Sequence, residues 1–232
     1  MAPLRIRHRV EYTRNKHSRA VCRGETIVIR LARNLSKTEE QEHIRNLLRR
    51  MTHLVLQERS KVSVNPFEHL LNGGQSMTVT LATGKQYQFT LVPGERTRAR
   101  KTDRGWRVEV SPQVRKRALH RFLWSLIADA ELPRIASLVE TINDETFRVH
   151  VKDVKLRFAL TQWGSCSPRG VIMLNAALLF VPPSMLKYVI VHELAHRIVA
   201  NHSASYWRQV AWAMPTYEKA YKALQGYRLP SL

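Results

Sequence analysis

An α+β fold is what this 232-residue sequence predicts, and three observations carry it. Before Ser111-Pro112, short runs alternate apolar and polar residues, the period-two signature of half-buried strands. After it, apolar residues recur at the three- and four-residue spacing of helices. With 44% hydrophobic and 24% charged residues, the chain has the makings of a real core. Two parts are expected: a β-rich N-terminal domain with one helix over 1–112, and a second domain over 113–232.

The elements follow in order. Glu25 to Leu31 (ETIVIRL) alternates as a strand should. Ser36, with Glu39 three residues on, is a capping box opening a helix. Ile44, Leu47, Leu48, Met51 and Leu54-Val55 continue that helix, which is expected to end before Asn65-Pro66. Met77 to Leu81 and Tyr87 to Val92 alternate around Thr83-Gly84-Lys85, a hairpin signal. Arg96 to Arg104 (RTRARKTDR) reads as a basic loop, and Trp106 to Val110 as one more strand. Val114 to Ala130 is helical, and a second helix is expected after Pro133. Phe147 to Val151, Leu156 to Leu160 and Val171 to Leu174 read as short strands, with Ser167-Pro168-Arg169-Gly170 as a turn before the last. Pro182-Pro183-Ser184 starts a further helix.

The charge is strongly one-sided. Lys and Arg number 38 against 18 Asp and Glu, a formal net charge of +20. Such a bias favours contact with a polyanion, DNA or RNA before an anionic membrane. Three basic stretches supply it: RIRHRVEYTRNKHSR, RTRARKTDR and VRKRALHR. No zinc-finger or RRM pattern accompanies them, so any such contact runs through phosphates. The two cysteines, Cys22 and Cys166, form no disulfide framework. The N-terminal MAPLRIRHRV lacks the apolar core of a secretory leader, and no apolar run is long enough to span a bilayer. A cytoplasmic protein without membrane segments is expected.

The chemistry concentrates in VHELAHRIVANH, Val191 to His202. His192 and His196, four apart on a helix, share a face and can aim at one point. Zinc sites use this H-E-x-x-H arrangement, with the glutamate, here Glu193, as general base towards an attacking water. A catalytic zinc needs a third protein ligand, and His202 is the obvious one. On a continuous helix, six residues past His196 lies about 240° round the axis, so the helix must end between them. Asn201 tolerates the left-handed geometry of a helix end, and Ser203 is a natural N-cap for a following helix with Tyr206, Trp207, Val210 and Met214 as its stripe. The His spacing equals that of metzincins, but Val199 stands where those need glycine.

Trp163-Gly164-Ser165-Cys166-Ser167, Val171-Ile172-Met173-Leu174-Asn175, Tyr188 to Leu194, Asn201-His202-Ser203 and Tyr206-Trp207 together resemble the YgjP-like family of zinc metallopeptidases, relatives of the SprT-like proteases. The resemblance runs from about Arg148 to Leu224 and, more loosely, over the N-terminal part. It implies a zincin-like catalytic domain, a small antiparallel sheet packed on the H-E-x-x-H helix, with Zn2+ on His192, His196 and His202 and Glu193 as base. Gln162 stands where the family usually has a basic residue, and Tyr206 where phenylalanine is common.

Trp163, Gly164, Ser165 and Cys166 could form an edge strand that pairs with an extended peptide substrate, or could be simple packing. Cys166 has no evident activator for a nucleophilic role. Asn175 reads as satisfying buried backbone groups; Trp106 and Trp124 read as core. Three functions stay open: a zinc metallopeptidase acting on a peptide or protein, a metal-dependent hydrolase of a nucleotide or other phosphate ester, and a non-enzymatic nucleic-acid-binding protein with structural zinc.

Overall fold

The structure, a computed structural model, describes residues 7–23 and 26–230. It divides by packing into two compact units, Met1–Val62 and Ser63–Leu232.

In the first unit, β1 (Arg7–Tyr12), β2 (Arg19–Arg23) and β3 (Thr26–Leu31) form a sheet with β3 central. β1 runs parallel to it and β2 antiparallel. The alternation in TIVIRL places Ile27, Ile29 and Leu31 on one face, where Ile44, Leu47, Leu48 and Met51 of α1 (Lys37–Ser60) pack against them. The expected capping box is formed: Ser36 accepts from the Glu39 amide, and the Glu39 side chain accepts from the Ser36 amide. The strand begins at Thr26 among the described residues; Glu25, expected as its first residue, lies outside them. α1 stops at Ser60, and Leu54 is exposed rather than packed.

β4 (Val62–Ser63) leads into the second unit. There a short helix, α2 (Glu68–Leu71), precedes a four-stranded sheet of β5 (Ser76–Thr80), β6 (Gln86–Pro93), β7 (Arg98–Thr102) and β8 (Gly105–Val110), ordered β5-β6-β8-β7. The β5–β6 hairpin is where the alternation put it. Arg98–Thr102 corrects an expectation: the basic loop is largely a strand. Only Ala99 on it is half-buried, so the sequence carries little strand signal, and β8 supplies the antiparallel partner that makes the ladder.

α3 (Lys116–Glu145) is one helix, not two, and carries Pro133 inside it. Proline forfeits one backbone hydrogen bond, yet Leu123, Trp124, Ile127, Ile135, Val139 and Ile142 bury a face on both sides of it. Tertiary burial outweighs the local break. The strand expected over Phe147 to Val151 is absent. Arg148 there is left-handed, with φ of 50°, and the Asn143 side chain brackets the turn, donating to the Val149 carbonyl and accepting from its amide.

A second sheet joins β9 (Asp153–Arg157), β10 (Gly164–Cys166) and β11 (Val171–Asn175) in the order β10-β11-β9. β10 runs antiparallel to β11, but β9 runs parallel, so the sheet is mixed rather than antiparallel. The strand expected over Leu156 to Leu160 sits earlier, at 153–157. Asn175 then closes the sheet as expected: fully buried, its amide donates to the Ala159 and Gln162 carbonyls and its oxygen accepts from Ala177. A 3₁₀ turn over Ala176–Phe180 leads to α4 (Pro183–Ala195), α5 (Ala204–Ala213), α6 (Tyr217–Leu224) and β12 (Tyr227–Arg228). One continuous core, from Val64 to Leu224, joins all these elements and includes Trp106 and Trp124. α4 packs against β10 and β11, which brings the polar motif to the sheet's edge. No helix among the described residues is long and apolar enough to cross a membrane.

Candidate metal centre

α4 is almost wholly buried, yet it carries His192 and Glu193 near its end. The helix ends at Ala195. The chain leaves it through a tight turn in which the Arg197, Ile198 and Val199 amides donate to the Leu194 and Ala195 carbonyls. That turn swings His202 back, as the spacing required. It is not made by a left-handed Asn201: among the described non-glycine residues only Asn34 and Arg148 have positive φ. The Asn201 side chain instead accepts from the Ser203 amide at 3.3 Å. Ser203 occupies the N-cap position of α5, without a side-chain capping bond.

The three imidazoles converge. Each offers a nitrogen, and these lie within 4.8 Å of one another. His202 Nε2 and His192 Nε2 are 3.1 Å apart. His192 and His196 are half-buried, and His202 is exposed. The outward nitrogens fix which atoms face the centre. His196 Nδ1 donates to the Val199 carbonyl at 3.2 Å, leaving Nε2 free as a ligand. His192 Nδ1 lies 3.4 Å from the Tyr188 hydroxyl, one turn earlier on α4. Such outer contacts orient metal-ligating histidines. Burial, and then the neighbouring imidazoles of His196 and His202, push His192 down to about 4. Burial also lowers His196. Both rings are thus neutral at pH 7, the form that ligates a metal. The donor set fits a divalent metal of imidazole preference.

Aromatic residues wall the centre. Tyr206, fully buried, stacks on His196 with centroids 4.6 Å apart. Its hydroxyl donates to the His192 carbonyl at 3.0 Å, one of the last-turn carbonyls that α4 leaves without a helical partner. Trp207 lies against His192 and His202. Tyr206 and Trp207, expected only as a packing stripe, therefore also shape the site.

Glu193 is 5% exposed, and burial pushes its carboxyl up to about 8. Its nearest wall is β10. A Cβ built on Gly164 would stand 2.6 Å from Glu193 Oε1, 3.0 Å from its Cγ and 2.9 Å from Val189 Cγ1. So Trp163, Gly164, Ser165 and Cys166, all half-buried, lie beside the motif helix. β10 is an edge strand, paired only to β11. Burial raises the Cys166 thiol, against a nucleophilic role. Arg197 donates to the His150 and Pro168 carbonyls and so ties the β10–β11 turn to the end of α4.

The sequence assigns no role to the Tyr188 hydroxyl, to Gly164 as a wall, or to the Val199 carbonyl. Tyr188 does carry a signal, being four residues before His192 on the same face. The approach of Gly164 to Glu193, across 29 positions, leaves no local trace.

A family model, the YgjP-like metallopeptidase domain, matches residues 7–227. Among solved structures, the crystal structure of the metallopeptidase zymogen of Pyrococcus abyssi abylysin matches at 27% identity, over 38% of this chain and 87% of that chain, with a TM-score of 0.34. No curated protein matches the chain.

Proposed function

The chain belongs to the YgjP-like metallopeptidase family and is a metal-dependent hydrolase; on that premise we propose that it cleaves peptide bonds in a peptide or protein, with Zn2+ held by His192, His196 and His202. The convergence of those three histidines beside a buried Glu193 carries the reading. Zinc in such a site polarises the scissile carbonyl and acidifies a water.

The rest is the work of this chain's side chains. Glu193 takes a proton from the attacking water on its carboxylate and delivers it to the leaving amine. Its burial suits that exchange, because a carboxyl with a raised pKa can both hold and release a proton near neutral pH. Tyr188 and the Val199 carbonyl hold His192 and His196 in orientation. The free edge of β10, from Trp163 to Cys166, receives an extended substrate as an added strand, which sets the scissile bond beside Glu193. A structural zinc needs a fourth protein ligand, and among the described residues the group has three members.

The zincin-like arrangement is part of the same proposal. So is the functional division at 112/113: every residue of the site falls in 113–232, although the core runs across that point. The net charge favours a substrate on or near DNA or RNA, in the cytoplasm. Unfolded protein and nucleotides, assayed side by side with Glu193→Gln as the blank, test the reaction. Glu193-dependent proteolysis supports it; Glu193-dependent release of phosphate with no proteolysis overturns it in favour of the phosphate-ester reading.

A further inference from the structure

The four-stranded sheet of the second unit has one face in the core and one bare. Val79, Phe89, Trp106 and Val108 point inward and are buried. The register places opposite residues in rows across the outer face. One row runs Ser76, Thr90, Arg107, Arg100, and the next runs Thr78, Gln88, Gly105, Thr102. Gly105 is held at φ of 156°, and any Cβ there would strike the Gln88 backbone. A shallow depression on this face is lined by Gln88, Thr90, Thr102, Arg104, Arg107 and the largely buried Trp106, with the Asp103 carboxylate at its rim.

The anomaly is Arg100 facing Arg107. They are register partners on adjacent strands, and like charges directly opposite destabilise a sheet. Neither has an ion-pair partner within contact distance among the described residues; Glu109, bonded to Arg98 at 2.7 Å, attracts both only at longer range, one carboxylate among three arginines. Arginines on an edge strand can guard it against aggregation, which would account for Arg100 on β7. It does not account for Arg107, which sits on an inner strand. An anion lying across the row would turn the repulsion into attraction and take hydrogen bonds from the flanking hydroxyls and amides.

We propose that this outer sheet face, centred on Arg100, Arg107, Thr90 and Gln88, holds the phosphate backbone of a nucleic acid. It rests on reading the net charge of +20 as contact with DNA or RNA, and not on the metal site. None of the large exposed apolar residues lies on this face, so it has nothing to insert into a bilayer. It has no exposed aromatic ring on which bases could stack, unlike sheets that read single strands. Binding is therefore sequence-independent and set by phosphate contacts.

The test is titration of a labelled DNA duplex across roughly 50 to 200 mM salt. The wild type binds, with a linear fall of log affinity against log salt. Arg100→Gln with Arg107→Gln makes that slope shallower by about 1.8, two contacts at about 0.9 each. Arg100→Lys with Arg107→Lys restores it, which separates charge from folding. Arg45→Gln with Arg49→Gln, exposed on α1, leaves it unchanged. A wild type that does not bind overturns the reading of the charge itself. A glutamine pair that keeps the wild-type slope overturns the assignment to this face alone. Tighter binding to phosphatidylserine vesicles than to duplex, with the same arginine dependence, overturns the nucleic-acid proposal in favour of a membrane surface.

Discussion

Gly164→Ala tests how Glu193 is placed. The new methyl group would stand 2.6 Å from Glu193 Oε1 and 3.0 Å from Cγ. An ordinary carbon–oxygen contact needs about 3.4 Å, so the carboxylate must retreat by about 0.8 Å. Gly164 has no positive φ, so the substitution acts through space and not through backbone strain. The strand resists moving, because β10 is paired residue by residue to β11. The flexible Glu193 side chain gives way instead, and it carries the proton. A misplacement of about 1 Å costs on the order of 100-fold in rate, or about 2.7 kcal/mol of barrier. The expected result is kcat lower by about 100-fold, KM nearly unchanged, and zinc content as in the wild type. Adding Val189→Ala relieves the 2.9 Å overlap with Val189 Cγ1 but leaves the clash with the carboxylate, so stability recovers and kcat does not. Wild-type kcat in Gly164→Ala refutes the reasoning: either the carboxylate has a second productive position or Glu193 is not the base.

Three further outcomes are expected. Tyr188→Phe removes the partner of His192 Nδ1 and weakens zinc binding by about 10-fold, as read by competition with a chelator. Tyr87→Phe strips one of the three donors, with Lys85 and Arg134, from the fully buried Glu131; urea unfolding should show a loss of about 2 kcal/mol. His120 is fully buried, and burial holds it down at about 4 against an ordinary 6.5. The unfolded chain takes up its proton first, so stability present above pH 6.5 is lost as pH falls towards 4, by up to about 3 kcal/mol. Unfolding in EDTA at both ends of that window should show this fall in the wild type, and a smaller one in His120→Gln.

The three-histidine group is legible in the sequence because its spacing is local. His192, Glu193 and His196 declare themselves by spacing on one helix, and His202 by the single way it becomes useful. Elements defended by alternation, such as β3 and the β5–β6 hairpin, were legible for the same reason. What failed was local reasoning about elements whose support is distant. Pro133 signals a break, but the faces of α3 on either side of it are buried in one core. Arg98–Thr102 looks like a loop until β8 pairs with it. Tyr206 reads as packing, and only the fold shows its hydroxyl serving the end of α4.

The most direct measurement of the central claim is zinc content with activity in His202→Ala. The wild type is expected to carry about one zinc per chain, held by three protein ligands, and the variant to lose both zinc and proteolysis. A His202→Ala protein that keeps full zinc and full activity contradicts it.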